Sequence, residues 1–228
     1  MELTVSRWVL RAVGVPLFLV IGLPAQAMDC AAEFAQDNRF KPAAGAYRSE
    51  DTTRVYTVVD GKWVFVRTDQ AVTEVVPPAS VRFTNNTPLN TVEMVVVDGR
   101  KGWQKEGKDG AWEPLPPPVR QALLNAALGG YFVAEGMTAL TCSEQQTPDG
   151  IALRVYKYQL PADTLGINDV TVTVAYEQAK RIPHSAATQR KGARVDLQTL
   201  SILHFDRSIR IAAPVAGGKR LPGAKVNQ

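Results

Sequence analysis

From residue 47 onward the chain alternates apolar and polar residues one for one, and Asp-Gly pairs cut the alternation into segments. Asp60-Gly61 separates Arg54-Val55-Tyr56-Thr57-Val58-Val59 from Lys62-Trp63-Val64-Phe65-Val66-Arg67. Such a pair accepts the positive φ angles of a tight turn, so two flanking period-two runs read as a hairpin. Asp98-Gly99 follows Thr91-Val92-Glu93-Met94-Val95-Val96-Val97. Asp109-Gly110 precedes Ala111-Trp112, and Asp149-Gly150 precedes Ile151-Ala152-Leu153-Arg154-Val155-Tyr156. Further strands are predicted at 72–76, 81–85, 138–144, 170–177, 185–189, 195–204 and 209–212. The connections are too short for crossover helices, so about ten to eleven strands form a mostly antiparallel sheet.

The alternation also separates a dry face from a wet one. In Val170-Thr171-Val172-Thr173-Val174 the valines share one face and the threonines the other. Val195-Asp196-Leu197-Gln198-Thr199 repeats the split, and Ile209 and Ile211 face away from Ser208 and Arg210. An apolar sheet face needs a cover. Trp63 and Phe65 lie opposite Val64 and Val66, which predicts that both sides are covered there. Two short helices are available as covers. One spans 30–38, capped by Asp29 and ended before Lys41-Pro42; the other spans 119–128, with Pro118 at its first position and Gly129-Gly130 as its stop. Arg120, Gln121 and Asn125 of the second helix are left for water, and the proline run at 114–118 reads as a rigid connector. The cation-rich stretch 99–109, with Trp103 inside it, reads as a solvated hairpin tip. The fold class is mainly β (α+β): a curved antiparallel half-barrel with short helices plugging its concave side.

The N-terminus reads as an address. Arg7 and Arg11 lead into the apolar run Ala12-Val13-Gly14-Val15-Pro16-Leu17-Phe18-Leu19-Val20-Ile21-Gly22-Leu23, and Ala25-Gln26-Ala27 supplies an A-x-A cleavage site. The run is shorter than the roughly 18–20 apolar residues that span a bilayer, and no later stretch comes close. These signals predict a signal peptide over 1–27 cleaved after Ala27, a periplasmic location, one domain over 28–214, and a flexible basic tail over 215–228. Asp29 directly before Cys30 is unsuited to lipid modification of that cysteine. Cys30 and Cys142 are the only cysteines, and in an oxidising compartment a structural disulfide between them is expected.

Enzyme signatures are missing. The chain has no G-x-S-x-G, no H-E-x-x-H, no Walker loop and no Rossmann fingerprint. His184 and His204 fall on different elements with no acidic pair at ligand spacing, so no catalytic residue, metal site or cofactor is predicted. With 26 basic against 22 acidic side chains, the charge is too mild and too dispersed for nucleic acid.

Several segments together resemble the LolA-like superfamily of outer-membrane lipoprotein carriers and related periplasmic modules. They are the short helix after the leader, the successive hairpins, Val97-Asp98-Gly99-Arg100-Lys101-Gly102-Trp103, Gly110-Ala111-Trp112 with the helix that follows, and the closing run from His204 to Pro214. The resemblance covers most of the mature chain and implies a greasy cavity for acyl chains between the concave face and its helices. Val119, Leu123, Leu124 and Leu128 are the helix-side candidates for such a cavity, and Trp63, Phe65, Met94 and Val96 the sheet-side ones. Arg48, Arg54 and Arg67 align equally well with the carriers' functional arginine, so none is assigned that role. Two readings stand: a binding protein for a lipid, an acyl chain or a lipoprotein anchor, and an envelope interaction module with a closed core and a protein partner.

Overall fold

The structure, a computed structural model, describes residues 29–161, 167–216 and 219–220. The predicted leader and most of the predicted tail lie outside the described residues. Eleven strands form one open antiparallel sheet in the spatial order β6-β5-β4-β3-β2-β1-β11-β10-β9-β8-β7. The first group is β1 (Tyr47–Val59), β2 (Lys62–Val76), β3 (Ser80–Asn86), β4 (Thr91–Val97), β5 (Lys101–Glu106) and β6 (Glu113–Pro114). The second is β7 (Thr138–Gln146), β8 (Ala152–Leu160), β9 (Ile167–Glu177), β10 (Ile182–Gly192) and β11 (Val195–Phe205). The two meanders join where β1 pairs with β11 in unbroken register from Tyr47↔Phe205 to Thr57↔Val195. A separate two-residue hairpin pairs Val215–Ala216 with Lys219–Arg220. The sheet does not close, which is the half-barrel expected from the alternation.

The turn chemistry explains the registers. Asp60 (φ 50°) and Gly61 (φ 75°) make the β1–β2 turn, and Asp98 (φ 53°) and Gly99 (φ 66°) open the β4–β5 turn. Positive φ at consecutive residues is what Asp-Gly tolerates and most pairs do not. Two expectations are corrected. Residues 101–106 are not a solvated tip but strand β5, with Trp103 buried and Lys105 paired to Glu93 at 2.8 Å. Residues 209–212 form no strand, because β11 already ends at Phe205 and Asp206 turns the chain by accepting from Ser208.

Two helices cover the apolar face. Helix α1 (Cys30–Asp37) starts where Asp29 accepts the amide protons of Ala31 and Ala32, as expected for its cap. Helix α2 (Pro117–Leu128) begins one residue earlier than the sequence suggests, with Pro116 at the N-cap and Gly129 at the C-cap. Under α1, Phe34 sits 5.0 Å from the ring of Tyr156 and 5.3 Å from that of Tyr158, above Val170, Val172 and Val174. Under α2, Leu124 and Ala127 pack with Tyr47, Val75, Val81, Val96, Leu115 and Leu203. Tyr131 and Phe132, in the connection after α2, touch both clusters.

Candidate functional site

A cavity of about 270 Å³ lies between α2 and the central strands. Leu123, Ala126 and Ala127 form its roof, Tyr131 and Phe132 one wall, and Tyr47, Thr73, Phe83 and Leu203 the sheet side. Its lining is graded. On β1, Tyr47, Ser49 and Asp51 point to the same face because they are two residues apart. Their β11 partners are Phe205, Leu203 and Ser201. The cavity is therefore aromatic and aliphatic at the Tyr47 end and polar at the Asp51–Ser201 end, where the Ser49 hydroxyl donates to Asp51 at 2.8 Å.

Tyr47 couples floor to roof. Its hydroxyl donates to the carbonyl of Ala127 on α2 at 3.1 Å, and burial holds the phenol well above its ordinary titration range, so it stays a neutral donor. Its ring meets Tyr131 edge-on at 5.8 Å and Phe205 in a tilted contact at 5.6 Å. A second hollow of about 400 Å³, bordered by Ala79, Leu124 and Leu128, runs along another flank of α2.

Of the eight residues singled out from the sequence, Leu123 lines the cavity between sheet and helix. Leu124 and Val96 are buried in the cluster beneath α2, and Met94 and Leu128 are half-buried against it. Val119 is exposed on α2. Trp63 and Phe65 join neither core cluster and do not line this cavity. The expectation that both sides of 63–66 are covered is corrected: all four side chains are exposed, because β1 and β2 extend beyond the strands that α1 and α2 cover. Sequence reasoning missed Tyr47, Phe83, Tyr131 and Phe132. Phe83 and Tyr47 sit on strands whose apolar face was legible, but Tyr131 and Phe132 follow the helix stop in a segment with no periodicity.

The opposite face carries a larger hollow, about 630 Å³, lined by Thr52, Thr171, Thr173, Gln189 and Gln198 with Arg54 and Lys157. Amide groups of Gln189 and Gln198 donate to the buried carboxylate of Asp196 there, at 3.0–3.2 Å. This hollow also borders Ala187 and Leu200, but among the described residues no helix lies over it, so an acyl chain there stays open to solvent. The smaller cavity under α2 is the one that a helix roofs.

No protein-family model and no curated protein sequence matches the chain. Among the solved structures similar to it in fold are the following two. One is a Vibrio parahaemolyticus domain assigned to outer-membrane lipoprotein sorting, at 7% identity and TM-score 0.33, with 79% of this chain and 92% of that chain covered. The other is a LolA superfamily protein from Nitrosomonas europaea, at 10% identity and TM-score 0.29, with 78% of this chain and 92% of that chain covered.

Proposed function

We propose that this chain is an exported, non-enzymatic binding protein of the periplasm that holds an acyl chain, or a lipoprotein's acyl anchor, between its sheet and α2. The observation that carries this reading is the graded cavity, apolar under Leu123 and Ala127 and polar at Asp51 and Ser201. A lipid has the same polarity gradient. At about 270 Å³ the cavity is sized for a short acyl run. Each buried methylene contributes about 0.8 kcal/mol. A longer chain requires α2 to lift, and the hollows on its flanks leave room for that movement. The leader signature at 1–27 and the Cys30–Cys142 disulfide support export to an oxidising compartment.

Native mass spectrometry of protein expressed with its own leader tests the proposal, together with uptake of a fluorescent fatty acid and of a phospholipid. The expected result is bound or bindable lipid, with uptake falling about tenfold in Ala126→Trp, which fills the cavity. Lipid-free protein that takes up neither probe overturns the reading. The alternative, an interaction module with a protein partner, is favoured by one feature away from the cavity: the uncovered β1–β2 hairpin.

A further inference from the structure

The polar end of the cavity under α2 carries a full negative charge and no countercharge. Asp51 lines it from β1, and its register partners are Ser201 on β11 and Ala71 on β2. Neither partner is a cation, and no lysine or arginine lines the cavity. Among the described residues no cation pairs with Asp51, and its one hydrogen-bond donor is the Ser49 hydroxyl at 2.8 Å. An ionised carboxylate has room for about four donors. Other acids of the same sheet are matched. Asp69 lies 2.9 Å from Arg67, Glu93 lies 2.8 Å from Lys105, and Glu74 lies 3.3 Å from Arg82.

The remaining polar groups of the cavity set no sign. The hydroxyls of Ser49, Thr73 and Ser201 can each donate or accept. At the aromatic end the tyrosine hydroxyls are already engaged. Tyr47 donates to the carbonyl of Ala127, and Tyr131 accepts from the Lys41 amide at 3.3 Å. The head of a bound amphiphile therefore has one charge to answer, that of Asp51. An alkyl chain that fills the cavity also displaces water from beside this half-buried carboxylate, and a carboxylate stripped of water needs a partner of opposite charge. An ammonium group supplies it through charge-assisted hydrogen bonds. A second carboxylate brings a like charge to the same spot.

We infer that Asp51 determines the specificity of this cavity and selects amphiphiles whose polar end is an ammonium group over those that end in a carboxylate. The inference rests on the acyl-binding reading and adds to it the sign of the headgroup. An alcohol, which can donate but carries no charge, ranks between the two. Leu123 and Ala127 contribute burial to all three alike, because they touch the chain and not the head.

Titration calorimetry of the mature chain at neutral pH tests it with octylamine, octanol and octanoate, which share a chain length and differ in the charge of the head. The expected result is octylamine bound at least about tenfold more tightly than octanoate, with octanol between them. Asp51→Asn keeps the shape, removes the charge, and brings the amine and the carboxylate to within about twofold. Asp51→Ser is a second variant with the same expectation, and circular dichroism checks that both fold. Ala126→Trp, which fills the cavity, abolishes binding of the amine. Lysophosphatidylethanolamine and lysophosphatidylglycerol, which share a phosphate and differ in the amine, locate the source of the ammonium. Tighter binding of the first supports a lipid headgroup, and octylamine bound with neither lysolipid supports a simple alkylamine. Octanoate bound by the wild type as tightly as octylamine overturns the inference and leaves the acyl-binding reading standing. So does a preference for the amine that survives in both Asp51 variants or in Ala126→Trp. A chain that binds none of the three overturns the acyl-binding reading and the inference with it.

Discussion

The two helices that cover the sheet are held in opposite ways. The shorter, α1, is pinned by covalent, ionic and aromatic contacts together. Cys30 joins Cys142 across 112 positions, with the Cα atoms 5.6 Å apart. The buried carboxylate of Asp37 accepts from the Tyr156 hydroxyl at 2.7 Å and lies 3.4 Å from Arg154 and 3.7 Å from Arg181. Glu33 pairs with the same two arginines. Lys41 adds hydrogen bonds to the carbonyls of Asp37 and Arg181, at 3.0 and 2.6 Å. The longer α2 rests on Leu124 and Ala127, with two side-chain hydrogen bonds to the rest of the fold among the described residues. One is from Tyr47 to Ala127, the other from Arg120 to the carbonyl of Arg100. One half of the fold is fastened and the other is seated. A lid has to belong to the second kind, because an element that moves needs a low cost of opening.

Removing the fastening is the strongest way to break this contrast. Cys30→Ser with Cys142→Ser is expected to lower stability by as much as ~4–5 kcal/mol in urea titration, the chain-entropy figure for a loop of this size. A loss below about 1 kcal/mol shows that the buried ion network alone anchors α1. The next test sets one residue of each helix against the other. Phe34→Ala removes a ring that meets three tyrosines and is expected to cost ~3–5 kcal/mol. Leu124→Ala is expected to cost ~2–3 kcal/mol, near the low end for its type, because α2 can settle into the hollows beside it. Equal losses erase the distinction between pinned and seated.

The gentlest test is alkaline titration. Burial raises the phenols of Tyr156 and Tyr176 far above the ordinary 10.0 and pushes Tyr158 up to about 12. All three lie beneath α1. In the unfolded chain they ionise near 10, while in the folded chain they stay protonated, so their contribution is whole below pH 10 and is lost as pH rises through the folded values. Unfolding monitored by tyrosinate absorbance should therefore begin above pH 10. Tyr158→Phe should move the onset upward slightly, and an onset unchanged in that variant removes its share.

How far the sequence foretold this arrangement differs by element. Period two located the strands, the Asp-Gly pairs located the β1–β2 and β4–β5 turns, and Asp29 located the start of α1, because each signal depends on neighbours a few residues away. The disulfide followed from counting cysteines in a chain whose leader signature predicts export. The ion network did not show, since Asp37, Arg154 and Arg181 come from α1, β8 and the turn after β9, and no local pattern links them. Strand β5 was hidden because its polar residues, Lys101, Gln104 and Lys105, disguise the inward Trp103. The exposure of Trp63 to Val66 was hidden for a related reason. An apolar run says that a cover is favourable, and it does not say whether the same chain provides one.

The seam between β1 and β11 has a consequence for the order of events during folding. Tyr47 cannot meet Phe205 until nearly the whole chain is available. A polypeptide that emerges N-terminus first can lay down the β1-to-β5 meander early, but the inner margin of β1 waits for the last long strand. Closing so distant a pair carries a high entropy of loop closure, which slows folding in sheets of this kind. Under the export proposed for this chain, which threads it through a membrane before it matures, that delay is useful. The segment stays extended while it is being moved, and the sheet locks only after its final strand has arrived.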